Sequence, residues 1–292
     1  MSLFETIIMG ILQGVAEFLP ISSSGHLAIF KSLFGLKEVG LAYDTLLHLG
    51  TLVAVFVVYW KDIWELILEG LGIVADVFRN IARFFTNIFS KNERGYIRVI
   101  DTPYRKFVML VIVSTIPTGI IGMVFEKSFN MDSPSIIIPG IGLLITGLML
   151  FIIDELPQGN KTERTATYTD SIILGMAQGV ATLPGISRSG TTTTFGVLCG
   201  LKREFAIKYS FIMSIPAILG ACILNVKDLF EPGNAISGTQ WVYYIVGAIT
   251  AAVVGYISIR TLIVLYKKKK MKYFSYYCFT AGLISIIIFF IK

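Results

Sequence analysis

The chain has 292 residues, of which 54% are hydrophobic and only 15% charged. With its long apolar runs, that balance excludes an ordinary soluble domain and indicates an all-α polytopic membrane protein folded as one domain over residues 1–292. The net charge of +6 does not indicate a nucleic-acid partner, because the basic residues cluster beside apolar segments, the usual bias of cytoplasmic loops. Cys199, Cys222 and Cys278 lie in apolar stretches without a CxxC pattern, so neither a disulfide framework nor a thiolate metal site is predicted. His26 and His48 are the two histidines, too few for a multi-histidine metal site in one chain. The N-terminal segment carries Glu5 where a signal peptide would carry basic residues, and is predicted to stay in the mature protein.

In chain order, the first element recurs. Residues 5–37, ETIIMGILQGVAEFLPISSSGHLAIFKSLFGLK, return without a gap 165 positions later as 170–202, DSIILGMAQGVATLPGISRSGTTTTFGVLCGLK, with 16 of 33 positions identical. A repeat of this length at fixed offset is architecture. Each copy is an apolar run broken by Pro, Gly and Ser, LPISSSG at 19–25 and LPGISRSG at 183–190. Proline removes a helix donor, and a break within lipid is tolerated only where protein or water satisfies the freed backbone groups. Both copies are therefore read as re-entrant helix–loop–helix hairpins, with Pro20 ending the first half-helix and Gly25 available for positive φ.

Six further segments, about 43–60, 105–125, 135–153, 205–225, 240–260 and 274–291, approach the length a bilayer core needs. Between the first two, apolar residues recur from Trp64 to Ile88 at spacings of three and four, with Glu65, Glu69, Asp76, Arg79 and Arg83 between them. That stripe suits an interfacial helix within a cytoplasmic 61–104 segment, with a helix pair broken at Gly70 and Gly72 as the alternative. With the N-terminus outside, 19 of the 25 Lys and Arg fall inside and five outside, Arg188 being the remaining one. Three crossings then separate the hairpins, which gives inverted-topology repeats at about 5–153 and 170–291 whose tips meet near the midplane.

The positions at which the copies differ carry the chemistry. Glu17 faces Thr182, Ser23 faces Arg188, and His26 faces Thr191. A carboxylate in an apolar helix costs roughly 2.5–3.5 kcal/mol on insertion scales. Gln13 lies four residues before Glu17, on the same helical face. Ser22, Ser23, Ser24 and Gly25 stand at the start of the second half-helix, and Ser187, Ser189 and Gly190 repeat the device around Arg188. Free helix-start amides, hydroxyls and a guanidinium make an anion site, and an acid/base pair beside it suits phosphoryl transfer. Simpler readings exist: a lone intramembrane Glu or Arg forms a structural ion pair, and Ser and Gly at a helix break are more often caps than catalysts. His48, in DTLLHLGT, is read as a packed or substrate-adjacent residue. A lipid-phosphate flippase would use the same midplane pocket and is the rival to an enzyme.

QGVAEFLPISSSGHL and PGISRSG resemble the two signature motifs of the bacterial undecaprenyl-diphosphate phosphatases, the bacitracin-resistance proteins, and the likeness covers essentially the whole chain. It implies a multi-pass hydrolase of the bacterial plasma membrane that removes one phosphate from undecaprenyl diphosphate and regenerates the lipid carrier of wall synthesis; the charge bias and the first hairpin entering from outside predict an active site opening to the outer face. The family's serine, histidine and arginine fall on Ser23, His26 and Arg188. Its Glu-or-Gln, three residues, Glu pattern falls on Gln13 and Glu17, where many members carry two carboxylates. The resemblance also implies a divalent cation, Mg²⁺ or Ca²⁺, held by Glu17 with Gln13 and the substrate phosphates. In the expected reaction Ser23 attacks or positions a water and His26 is general base and then acid, with a phosphohistidine at His26 as the alternative. Membrane lipid, the isoprenoid diphosphate and a second copy of the chain, as a homodimer, are the candidate partners.

Overall fold

The computed structural model describes residues 2–34, 41–89, 94–128, 136–229 and 238–291. These form eleven α-helices and no strand beyond an isolated bridge between Lys161 and Leu201. The helices are α1 (Leu3–Ala16), α2 (Ser23–Phe34), α3 (Leu41–Val58), α4 (Trp60–Phe89), α5 (Pro103–Ser128), α6 (Ile137–Ile153), α7 (Tyr168–Val180), α8 (Arg188–Leu198), α9 (Arg203–Leu229), α10 (Gly238–Lys267) and α11 (Lys272–Ile291).

The six predicted spans fall on α3, α5, α6, α9, α10 and α11. Among the described residues, α5, α9, α10 and α11 are long and apolar enough to cross a membrane, and the bent pair α3–α4 raises that number to five. Helix α6, at 17 residues, is a shorter apolar helix. At 1.5 Å per residue it spans about 26 Å, a little under a bilayer core of about 30 Å. Helix α5 shows which solvent the exterior is built for. Ser114 and Thr118 are buried on its inner side, while Ile116 and Ile120 are 59% and 55% exposed. Polar residues inside and aliphatics outside invert the pattern of a water-soluble helix. The chain is a multi-pass membrane protein.

The duplication is visible at the level of single hydrogen bonds. Ser2 and Glu5 form a capping box at the start of α1, and Thr167 and Asp170, 165 positions on, form one at the start of α7. Helix α1 lies along α10, and α7 lies along α5. The contact is made by equivalent glycines: a Cβ on Gly14 would meet Ala251 O at 2.8 Å, and one on Gly179 would meet Ile121 Cβ at 2.6 Å. Close backbone approach through small residues is how apolar helices associate when lipid offers no hydrophobic drive. Helix α3 packs on α10 and α9, and α6 on α11.

Helix α4 leaves α3 at 88° and runs unbroken for 30 residues, so Gly70 and Gly72 do not divide it. Its predicted stripe of Trp64, Leu68, Leu71, Val74, Phe78, Ile81, Phe85 and Ile88 is exposed. The other side is tied to α5: Arg105 donates to Glu69 Oε2 at 2.8 Å and to Asp76 Oδ2 at 2.7 Å. The Arg105 hydrogen bond, opposed by desolvation and aided by Arg79, holds the Asp76 carboxyl below its ordinary range. A lowered pKa means that this tether is fully present above about 3.9, the unperturbed Asp value, and is lost as pH falls through the lowered one. Asp76→Asn is accordingly expected to speed amide exchange along α4 at neutral pH while α1 and α7 stay protected. Acidification through the lowered value should likewise cut the α4 protection factors of the wild type, taken relative to the intrinsic exchange rate at each pH. Exchange in α4 that ignores both changes would show that the tether does not hold it.

Candidate active site

Two helix breaks build the site. Helix α1 ends at Ala16 and α2 begins at Ser23; α7 ends at Val180 and α8 begins at Arg188. The first break opens four residues before Pro20, so Pro20 sits inside the turn and does not end the helix. Gly25 does not take positive φ either. That conformation falls on Ser22, at φ 69°, and on Gly185 in the second turn, at φ 89°. Gly25 and Gly190 are helical and serve close approach between the tips. A Cβ on Gly25 would stand 3.2 Å from Gly185 Cα, and one on Gly190 would stand 3.1 Å from Pro20 Cβ. Positions 20 and 185 are themselves 165 apart, so each tip receives the other's turn at the equivalent place.

The serines divide into caps and cavity residues. Ser22 Oγ accepts from Gly25 N–H at 3.3 Å, and Ser187 Oγ accepts from Gly190 N–H at 3.2 Å. Each cap Oγ also lies 3.3 Å from that of the serine two residues on, Ser24 or Ser189. Ser189 Oγ donates across the interface to Phe18 O at 3.1 Å. The Gly25 and Gly190 amides expected to be free for an anion are thus spent on N-caps. Of the six predicted phosphate-binding positions, Ser24 and Ser187 line the cavity. Ser22, Gly25, Ser189 and Gly190 shape the tips and pack them together.

Glu17 is the hub. It caps the C-terminal end of α1, the unfavourable pole of a helix dipole for an anion, and its side chain is 3% exposed. Its compensation comes from several directions. Arg188 Nη2 donates to Oε1, while Ser23 Oγ at 2.7 Å and Gln13 Nε2 at 3.1 Å donate to Oε2. His48 Nδ1 lies 3.6 Å from Oε2 and 3.1 Å from Gln13 Nε2. Glu17, Ser23, Ser24, His48 and Arg188 all line one cavity of about 320 Å³, which Thr118, Gln178, Ala217 and Cys222 also line.

His26 is not brought to this cavity. Its Nδ1–H donates to Ser22 O at 2.8 Å, which leaves Nε2 to accept from Tyr277 Oη–H at 2.6 Å. The rings stack with centroids 5.5 Å apart. Both nitrogens are occupied, so His26 has no lone pair turned to Ser23. His48 takes the position beside the hub. A histidine inside an apolar span is a signal of function in itself, but the rotation of α3 that aims it at Glu17 is set by packing on α10 and α9.

The donor set limits how the implied cation could be held. Glu17 is the single carboxylate, and Gln13 turns its nitrogen toward it, leaving Oε1 buried without a partner. Among the described residues no group of three or more His, Cys, Asp or Glu is arranged to hold a metal. Such a set fits Mg²⁺ or Ca²⁺ only when phosphate oxygens complete the shell.

Residues 6–284 match the family described as Bacitracin resistance protein BacA. The chain belongs to the BacA family. An undecaprenyl-diphosphatase of Methanosphaera stadtmanae is 38% identical over 288 residues, covering 99% of this chain and 98% of that one. One from Alkaliphilus metalliredigens is 41% identical over 288 residues, 98% of each. Undecaprenyl-diphosphatase 4 of Bacillus thuringiensis is 38% identical over 287 residues, covering 98% of this chain and 97% of that one. The BacA match contains both tips and every residue of the hub. The contact between tips predicts that Gly190→Val, which pushes a branched side chain into Pro20, lowers stability by about 1–3 kcal/mol. Thermal unfolding in detergent measures it. A wild-type midpoint would mean the tips do not bear on one another there.

Proposed function

We propose that the Glu17–Ser23–Arg188 cluster carries out the dephosphorylation of undecaprenyl diphosphate to undecaprenyl phosphate and inorganic phosphate, the activity that recycles the wall-synthesis carrier and gives the family its bacitracin resistance. The observation that carries this reading is one carboxylate that accepts from a serine hydroxyl at 2.7 Å on one oxygen and from an arginine on the other. A diphosphate entering the cavity offers Arg188 more negative charge than Glu17 does, and guanidinium pairs well with phosphate oxygens. Arg188 moves to the phosphate, and Glu17 takes the proton of the Ser23 hydroxyl that it already accepts. Ser23 Oγ attacks the terminal phosphorus. The bond from that phosphorus to the bridging oxygen breaks, and undecaprenyl phosphate leaves. Water then attacks the phosphoserine, releases inorganic phosphate and returns the serine hydroxyl, with Glu17 shuttling the proton in both steps. A Mg²⁺ or Ca²⁺ ion held by Glu17 together with phosphate oxygens would spread the charge of the substrate.

In this reading His26 is a positioning residue. Its bond to Ser22 O holds the one non-glycine positive-φ residue of the two turns, directly before the nucleophile. The fold we propose is an inverted repeat of two re-entrant hairpins, the first dipping from the outer face and the second from the inner. It is supported by the paired packing of α1 on α10 and α7 on α5, by the reciprocal tip contacts and by the bias of basic residues. The cavity then opens outward, and α4 lies on the inner leaflet.

Purified protein in detergent, with no gradient, is expected to release phosphate from undecaprenyl diphosphate, and a chelator to slow it. A pure transporter would release none. Glu17→Gln, Ser23→Ala and Arg188→Ala should each reduce kcat/KM by more than about 1,000-fold, at or beyond the loss of one transition-state donor. Full activity in any of them removes that residue from the chemistry. His26→Ala should cost about 100-fold by misplacing Ser23. His26→Asn, which keeps a donor where Nδ1 stands, should recover most of that loss. A true acid/base role would leave asparagine as inactive as alanine.

A further inference from the structure

The residue beside the hub that neither repeated motif contains is His48. It lies on α3, outside both hairpins, and the position 165 further on is Met213, which is fully buried. We propose that His48 orients the substrate, its neutral imidazole donating Nε2–H to a phosphate oxygen of the diphosphate in the cavity, with Gln13 fixing the tautomer that makes this possible. The proposal rests on the phosphatase reading above.

The geometry runs through one amide nitrogen. Gln13 Nε2 lies 3.1 Å from Glu17 Oε2 and 3.1 Å from His48 Nδ1. An amide nitrogen carries two hydrogens and accepts none. Its orientation is dictated by Glu17, because rotating the amide would set Gln13 Oε1 against a carboxylate oxygen. One hydrogen therefore goes to the carboxylate and the second to Nδ1. An imidazole that accepts at Nδ1 carries its own proton on Nε2. Among the described residues Nε2 has no hydrogen-bond partner, and the side chain, 36% exposed, lines the cavity with Ser23 and Arg188. Thr51 Oγ–H donates to His48 O at 2.8 Å and anchors the backbone beneath it. A phosphate in the cavity would meet a guanidinium from α8 and an imidazole N–H from α3, two donors fixed on separate helices, with the Ser23 hydroxyl within the same space.

Three substitutions separate this role from a structural one. His48→Gln sets an amide N–H near the place of Nε2. His48→Asn keeps a group near Nδ1 for Gln13 and offers nothing to the cavity. His48→Leu keeps neither. Two measurements are made on full-length protein in detergent: kcat/KM for phosphate release, and the Kd of a methylene-bridged, non-hydrolysable diphosphonate analogue of the lipid. His48→Gln should stay within about threefold of wild type in both, while His48→Asn and His48→Leu lose about 10–100-fold, the worth of a hydrogen bond to a charged group. Equal behaviour of all three, or rescue by Asn and not by Gln, overturns the proposal. Analogue binding keeps the two ideas apart. Wild-type protein that binds in the expected order and releases no phosphate would sink the phosphatase reading alone. Normal turnover with flat binding would sink only the role of His48.

Discussion

A carboxylate buried inside a membrane protein must be neutralised where it stands, and the middle of this structure is organised around doing that for Glu17. Removing one partner from a buried ion pair costs about 3–5 kcal/mol, so Arg188 and Glu17 hold the two hairpin tips together while the site is empty of other charge. Ser23 and Gln13 complete the shell of the second oxygen. The groups that a phosphatase needs for chemistry are therefore the same ones that the fold needs to tolerate its buried acid.

The duplicated backbone does a different job. In both copies the cap serine, the glycine three residues on and the following serine make the same hydrogen bonds at the same places. Those bonds use up the helix-start amides in holding the turns. In the proposed reaction, anion recognition is left to side chains that the copies do not share, Ser23 in one and Arg188 in the other, and to His48 from a helix outside the repeat. Symmetry builds the junction between the tips, and on the proposed reading departures from symmetry supply its reactivity.

Much of this was legible in the amino-acid sequence because it depends on local chemistry. Apolar runs located the long helices, Pro and Gly located the breaks, and the fixed offset of 165 residues paired Glu17 with the region of Arg188. The stripe from Trp64 to Ile88 appears on one unbroken helix. What was hidden depends on packing between distant elements. The direction of His26 is decided by Tyr277, which is 251 residues away. The aim of His48 is decided by the rotation of α3 against α10 and α9. The cap serines look like phosphate ligands until their partners are known, since a hydroxyl at a helix start suits either use.

The pairing of Glu17 with Arg188 also bears on how a base survives in such a place. A free carboxylate at the end of α1 would be strongly disfavoured, and a protonated one would be useless as a base. Held by Arg188 it is paired, and in the proposed reaction it takes the Ser23 proton when something more negative takes the arginine. In the proposed reaction a diphosphate does so, and the negative charge it adds is what a divalent cation on the phosphate oxygens would offset. On that proposal the activating event and the binding event are one rearrangement, which would tie reactivity at Ser23 to the presence of a phosphorylated ligand.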